Sequence, residues 1–245
     1  MRHLARKKVV LVIVEGPSDD TALGVMLNQV FDKDSVHVHI LHGDITTRNG
    51  VTSQNIVSKI GNDVRVFAKS QHYTSCDFRQ IIHIIDTDGV YIPDDSIYEN
   101  STCDNILYES DGIYTSNRQS IIERNLQKKE NLYRLRITGQ IWKVPYKVYY
   151  MSCNLDHVLY NKRNSTDEDK EDDAYEFAKK YKNDLTGFLK FICDSNFSVG
   201  GNYKESWEHI ENGMNSIERY SNLGICITEE MEVGEKCQLN NTKEL

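Results

Sequence analysis

Short apolar runs, each closed by turn-forming residues, mark out the first two thirds of the chain. Lys8 to Val14 is largely β-branched and does not alternate, which predicts a strand buried on both faces. It stops at Glu15-Gly16-Pro17-Ser18, a turn ending in a good N-cap, so a helix is predicted from Asp19 to Phe31. Val36 to Leu41 predicts a second strand. Apolar positions at Ile56, Val57, Ile60, Val64 and Phe67 follow a helical period and predict a helix over 53–69. Gln80 to Ile85 predicts a third buried strand, closed by Asp86-Thr87-Asp88-Gly89. A polar stretch over 92–117 reads as an insertion or long loop. A basic helix over 118–129 and a fourth strand over 147–151 follow. Helices are then predicted over 155–161, 174–193 and 203–220, with a polar, frayed tail after Ile227.

Strands alternating with helices of this length predict an α/β fold with a parallel four-stranded sheet flanked by helices. The expected division is a catalytic domain over 1–160 and a helical C-terminal extension over 161–245. The extension holds Phe188, Phe191, Ile192, Trp207, Ile210, Met214 and Ile217. That is more apolar surface than a sheet needs for cover, so a homodimer or partner contact is expected.

With 245 residues and 39% hydrophobic positions the chain can bury a core. Its longest unbroken apolar run, Val9 to Val14, is far short of the roughly 20 residues that cross a bilayer. That run is also too short for a signal-peptide core and lacks a cleavage site, so a cytoplasmic protein with no membrane partner is expected. The six cysteines are widely spaced, which excludes the common zinc modules and predicts free thiols. Net charge is 29 minus 37, or −8, but it is segregated. Asp167 to Asp173 holds six acids and one lysine, whereas 118–147 holds eight Lys or Arg against two Glu. The cations of that segment, Arg118, Arg124, Lys128, Lys129, Arg134 and Arg136 among them, interleave with Tyr133, Trp142 and Tyr146, a composition suited to a polynucleotide. A solvated helix face plus core aromatics accounts for the same pattern. The acidic run is expected to compete for the same cations as an autoinhibitory screen.

Ligands of open α/β sheets sit beyond the carboxyl ends of the strands. Setting strands one and three side by side brings Glu15, Asp86 and Asp88 to one rim. Carboxylates so close raise one another's pKa unless a cation intervenes, and Mg²⁺ or Mn²⁺ is the natural occupant for hard oxygen ligands. The inert alternatives are an ordinary Asp-Gly turn at 86–89 and, for Asp19, an acid that complements a helix dipole. Asp44 reads as a loop cap, and His37, His39 and His83 as structural strand residues.

This pattern, a glutamate after the first strand and Asp-x-Asp after the third, resembles the TOPRIM domain of topoisomerases, primases and several nucleases, over about residues 8–160. The string Val-Glu-Gly-Pro-Ser-Asp is most similar to the OLD-family nucleases. That resemblance implies a Mg²⁺- or Mn²⁺-dependent nuclease acting on DNA or RNA, an endonuclease rather than an exonuclease, with Glu15, Asp86 and Asp88 catalytic. It implies Asp19 as a further metal ligand and Asp156, where an N-terminal helix acid is the other reading, as a helper of a second metal. No Gly-x-x-x-x-Gly-Lys-Ser/Thr exists, so an ATPase would be a separate ABC-type partner, as in anti-phage defence effectors. A non-catalytic TOPRIM subunit, a small RNA-maturation nuclease and a flavodoxin-like phosphotransfer domain are the competing readings.

Overall fold

In the computed structural model, which describes residues 7–31, 35–40 and 43–241, the unalternating apolar runs become the centre of a mostly parallel sheet. The elements run β1 (Val9–Val14), α1 (Pro17–Val30), β2 (Ser35–Ile40), α2 (Ile56–Ser70), β3 (Phe78–Asp86), β4 (Ile97–Glu99), β5 (Leu107–Glu109), β6 (Gly112–Thr115), α3 (Arg118–Arg136), β7 (Gln140–Ile141), β8 (Val144–Met151), α4 (Leu155–Tyr160), α5 (Asp167–Tyr181), α6 (Leu185–Asp194), α7 (Tyr203–Ile210) and α8 (Leu223–Asn241). The main sheet has the order β2-β1-β3-β8-β7. Its first four strands are parallel, with Val14 opposite Ile40, Ile13 opposite His83 and Asp86 opposite Met151.

Both faces of β1 are covered, which is why its sequence does not alternate. Val10, Val12 and Val14 join one apolar core with α1, α4, α5, α6 and α8, while Val9, Leu11 and Ile13 join another with α2, α3 and α7. Parallel strands buried on both sides have no polar face to show. No helix among the described residues is long and apolar enough to cross a membrane.

Several expectations are corrected by local chemistry. The polar stretch over 92–117 is not a plain loop: it folds a small sheet of order β4-β6-β5, packed on Ile121 and Ile217. At Gly112 a Cβ would lie 2.0 Å from the Ser96 carbonyl oxygen, so only glycine lets β6 pass there. The basic helix runs on to Arg136, capped by the Asn117 side chain, which accepts from Ser120 N at 3.0 Å. β8 begins at Val144 and pairs antiparallel with β7 through a two-residue turn in which Trp142 and Lys143 both have positive φ (51° and 66°), as a tight hairpin demands.

The helix expected over 174–193 is two helices. Asp184 caps the second by accepting from Gly187 N at 2.8 Å, a local bond that competes with continuing the first. The helix expected over 203–220 ends at Ile210, and Gly213 turns the chain at φ 53°. The tail after Ile227 is helical within α8, anchored by buried Leu223 and Ile227. Leu41, expected to end the second strand, lies outside the described residues.

The apolar residues expected to favour a homodimer or partner contact are covered by the chain itself. Phe188, Ile192, Trp207, Ile210 and Ile217 are all buried, and only Phe191 and Met214 keep partial exposure. The described cysteines, Cys76, Cys103, Cys153, Cys193 and Cys226, are free thiols.

Candidate active site: an acidic cleft at the strand ends

All four parallel strands end on the same edge, and the segments that follow them are laced together. Gly43 N donates to Glu15 O at 2.9 Å, Thr87 N to Met151 O at 3.0 Å and Asp88 N to Cys153 O at 2.7 Å. The Ser216 carbonyl, from the far C-terminal segment, accepts from Thr87 Oγ1, Gly89 N and Cys153 N. Asp88 and Gly89 therefore hold left-handed conformations (φ 50° and 65°), which an aspartate and a glycine tolerate best.

On this edge the sequence-predicted acids meet. Glu15 Oε1 accepts from Asp86 N at 3.4 Å, and Asp86 Oδ1 accepts from Leu155 N at 2.9 Å. Asp19 folds back over the start of α1 and accepts from Gly16 N (3.0 Å) and Glu15 N (3.2 Å), doing the work of a cap where Pro17 has no N–H to give. Glu15, Asp19, Asp86 and Asp156 line one cleft of about 190 Å³ with Asn154 and Lys170. Asp19 is thus both a helix cap and a cleft acid.

Asp88 faces the other way. Its Oδ2 meets Lys128 Nζ at 2.5 Å, and Lys128 also reaches Asp44 Oδ2 at 2.7 Å. Asp88 Oδ1 accepts from the Tyr108 hydroxyl at 3.4 Å, while Arg124 donates to Asp88 O (2.8 Å) and to Tyr108 Oη (3.0 Å). Asp44 is the loop cap expected of it, accepting from Thr46 N and from the Thr46 and Thr47 hydroxyls. It is also a rim acid that the same strand-end logic, applied after the second strand, would have singled out.

The electrostatics follow from crowding. Burial pushes the Glu15 carboxyl well above the usual carboxylate range, and Asp44, Asp88 and Asp19 push it further, against the pull of Lys128. Burial, then Glu15, Asp19 and Asp88, do the same to Asp86. Burial raises Asp19 despite its two backbone donors, and raises Asp156 to about 6. Burial also works against an ionised Asp44, but Lys128 and the Thr46 hydrogen bonds outweigh it and hold that carboxyl at about 2. Lys128 itself is raised well above its ordinary value, because Asp44, Asp88 and Glu15 overcome the penalty of burial.

No family model, no curated protein and no solved structure matches this chain. Function must be argued from the cleft.

The donor set is all oxygen, which suits a hard divalent cation. Among the described residues no group of three or more His, Cys, Asp or Glu side chains is arranged to hold a metal ion. Glu15 and Asp86 are both recessed and raised by burial, Glu15 adds to the rise of Asp86, and Lys128 pulls against both shifts.

The expected nucleic-acid contacts divide. Lys128 is corrected: it is fully buried and ion-paired, so it cannot grip a phosphate at the surface. A signal for this lay in the sequence, since Ile121, Asn125, Lys128, Leu132 and Leu135 form one helical stripe, and all are buried. Arg118 is engaged by Ile97 O and Asp94 O, Arg124 by the Asp88 segment, and Arg136 by Glu211 and the Tyr133 ring. Lys129 and Arg134 remain on an open groove with Ser53, Gln54 and exposed Tyr133. Trp142 and Tyr146 belong to the core instead. The acidic run is no screen over this segment. It forms the start of α5, where Asp173 pairs with Lys162 and Asp167 with Lys170.

Proposed function

We propose that this protein is a metal-dependent phosphodiesterase of the TOPRIM type, a nuclease, with Glu15 and Asp86 as its central carboxylates. The observation that carries the reading is the meeting of these two acids, from adjacent parallel strands, in a recessed cleft where burial raises both carboxyls and Glu15 raises Asp86 further. Glu15, Asp86 and Asp19 would hold Mg²⁺ or Mn²⁺, with Asp88 and Asp156 at its margins. When bound, such an ion supplies a lowered pKa for bound water and charge stabilisation for a leaving oxygen.

The chain's own residues do the rest. Leu155 N fixes the rotamer of Asp86, the backbone amides at 15 and 16 fix Asp19, and Lys128 pins Asp88 and Asp44 so that the rim keeps its shape between turnovers. Lys129, Tyr133 and Arg134 offer a surface for the polynucleotide beside the rim. A defence role beside a separate ATPase rests on the resemblance alone.

A second reading, a non-catalytic binding or structural module, is favoured by Lys128, whose ammonium already serves as a resident cation between Asp44 and Asp88. One experiment separates the two. Single-stranded and duplex DNA and RNA are incubated with the protein in Mn²⁺, Mg²⁺ or chelator, alongside Glu15→Gln and Asp86→Asn. Metal-dependent cleavage lost in both variants supports the enzyme. Equal products from wild type and variants, or none from any, refutes it.

A further inference from the structure

The cleft does not end at the acids. A second cavity of about 520 Å³ opens beside it, and the two share Asn154 and Lys170 in their walls. Its chemistry differs from that of the first. Ile106 and Leu107, 36% and 38% exposed, each leave about a third of their apolar surface open on this wall. Arg163 and Lys170 supply positive charge, and Asn105 a side-chain amide.

The wall is built rather than incidental. Asn164 grips the backbone of Tyr108 at both ends, accepting from its N and donating to its O at 2.9 Å each. The Tyr108 hydroxyl then reaches Asp88, so the edge of the small sheet is tied at once to the loop after α4 and to the acid rim. Asn154 holds that same loop from the other side, donating to Arg163 O at 2.8 Å. The cations, by contrast, are loosely engaged. Lys170 meets Asp167 only at 3.8 Å, and Arg163 reaches Ile217 O and Glu218 at 3.4 Å.

A rigid chamber with an apolar wall, a side-chain amide and weakly held cations, opening into a carboxylate cleft, matches one ligand chemistry. We propose that the second chamber holds the nucleotide next to the phosphodiester at the acid rim, its base against Ile106 and Leu107 and its phosphate at Lys170 and Asn154. The proposal rests on the phosphodiesterase reading of the rim and adds the substrate class to it. The chamber's size falls within the roughly 300–1,000 Å³ of small-ligand sites. A base laid on an apolar wall is neither paired nor stacked on its neighbour. The preferred substrate is therefore single-stranded or locally unpaired at that nucleotide, where the cost of unstacking is least.

Adenosine 5′-monophosphate, which contains no phosphodiester to cut, is the probe. Its binding to the full chain in Mg²⁺ is measured by calorimetry beside adenosine and inorganic phosphate. The variants are Lys170→Ala, the double variant Ile106→Ser/Leu107→Ser and, as a control outside the chamber, Lys69→Ala on the exposed end of α2, with circular dichroism to confirm folding. The monophosphate should bind at least tenfold tighter than either fragment. Both chamber variants should weaken it at least fivefold, and Lys69→Ala should leave it unchanged. Monophosphate binding no tighter than phosphate, or indifferent to the apolar pair, overturns the chamber even if the protein cleaves nucleic acid. Tight binding that obeys the chamber variants in a protein that cleaves nothing supports the chamber and overturns the phosphodiesterase reading instead.

Discussion

Replacing Lys128 with methionine keeps most of the side chain's length and apolar stem and removes only its charge. The ammonium stands 2.7 Å from Asp44 and 2.5 Å from Asp88, with none of the side chain exposed. At an effective dielectric of about 20, each contact attracts by about 6 kcal/mol before desolvation is counted. The net is smaller. A carboxyl drawn from 3.8 to about 2, as Asp44 is, corresponds to about 2.4 kcal/mol at 1.36 kcal/mol per pH unit. That net shift also includes the Thr46 hydrogen bonds, so burial offsets well over half of the gross attraction to Lys128. Breaking a buried pair by removing one partner typically costs about 3–5 kcal/mol, because the other charge is left buried and alone. Lys128→Met should therefore lower the unfolding free energy at pH 7 by about 3–5 kcal/mol, read from urea or guanidinium titrations followed by circular dichroism. Neutralising a stranded partner should restore part of it, so Lys128→Met/Asp44→Asn should be more stable than Lys128→Met alone by at least about 1 kcal/mol. A loss below about 1 kcal/mol, the range of a surface pair, would refute this account of the network.

Glu15→Gln and Asp86→Asn should each raise Tm at pH 7 in chelator, since each removes a recessed charge repelled by its neighbours; a fall in Tm in both would contradict the crowding. Because both carboxyls are raised in the folded state, ionising them opposes folding. Wild-type stability in chelator should accordingly rise as pH is lowered from 7 toward 5, and saturating Mg²⁺ should flatten that rise, as thermal scans across pH would show. Asp44 acts with the opposite sign: its contribution is complete above about 4 and is lost as pH falls toward 2. Gly89→Ala should destabilise by about 1 kcal/mol or more, measured by the same denaturant titration, because the residue sits at φ 65° and its new methyl would meet Ile113 at 3.1 Å. If the protein binds single strands, Lys129→Ala/Arg134→Ala should make the log–log salt slope of binding shallower by about 1.4, at about 0.7 per lost phosphate contact. An unchanged slope would remove the groove from the interface.

The sheet was readable because its signal is stark: apolar runs such as Val9 to Val14 and Gln80 to Ile85 admit few other homes. The acids at its rim were readable for the same reason, since parallel strands place every C-terminal end on one edge. Partnership was harder to see. Lys128 reads as one more cation in a basic helix until its place in the Ile121–Leu135 stripe is noticed, and its partners lie 40 and 84 positions away. The strands of 97–115 are only three or four residues long, below the length at which alternation speaks. The break between α5 and α6 turns on one capping aspartate within an otherwise continuous helical period.

The Ser216 carbonyl that binds Thr87, Gly89 and Cys153 has a temporal consequence. A nascent chain leaves the ribosome N-terminus first, so Glu15 and Asp86 emerge long before residue 216 can hold the Asp88 loop and the end of β8 in place. The acids are translated early and seated late. A chain that terminates before that residue would carry every rim carboxylate and lack the clasp that aligns them, leaving a prematurely ended product ill-formed at the cleft it was built to present.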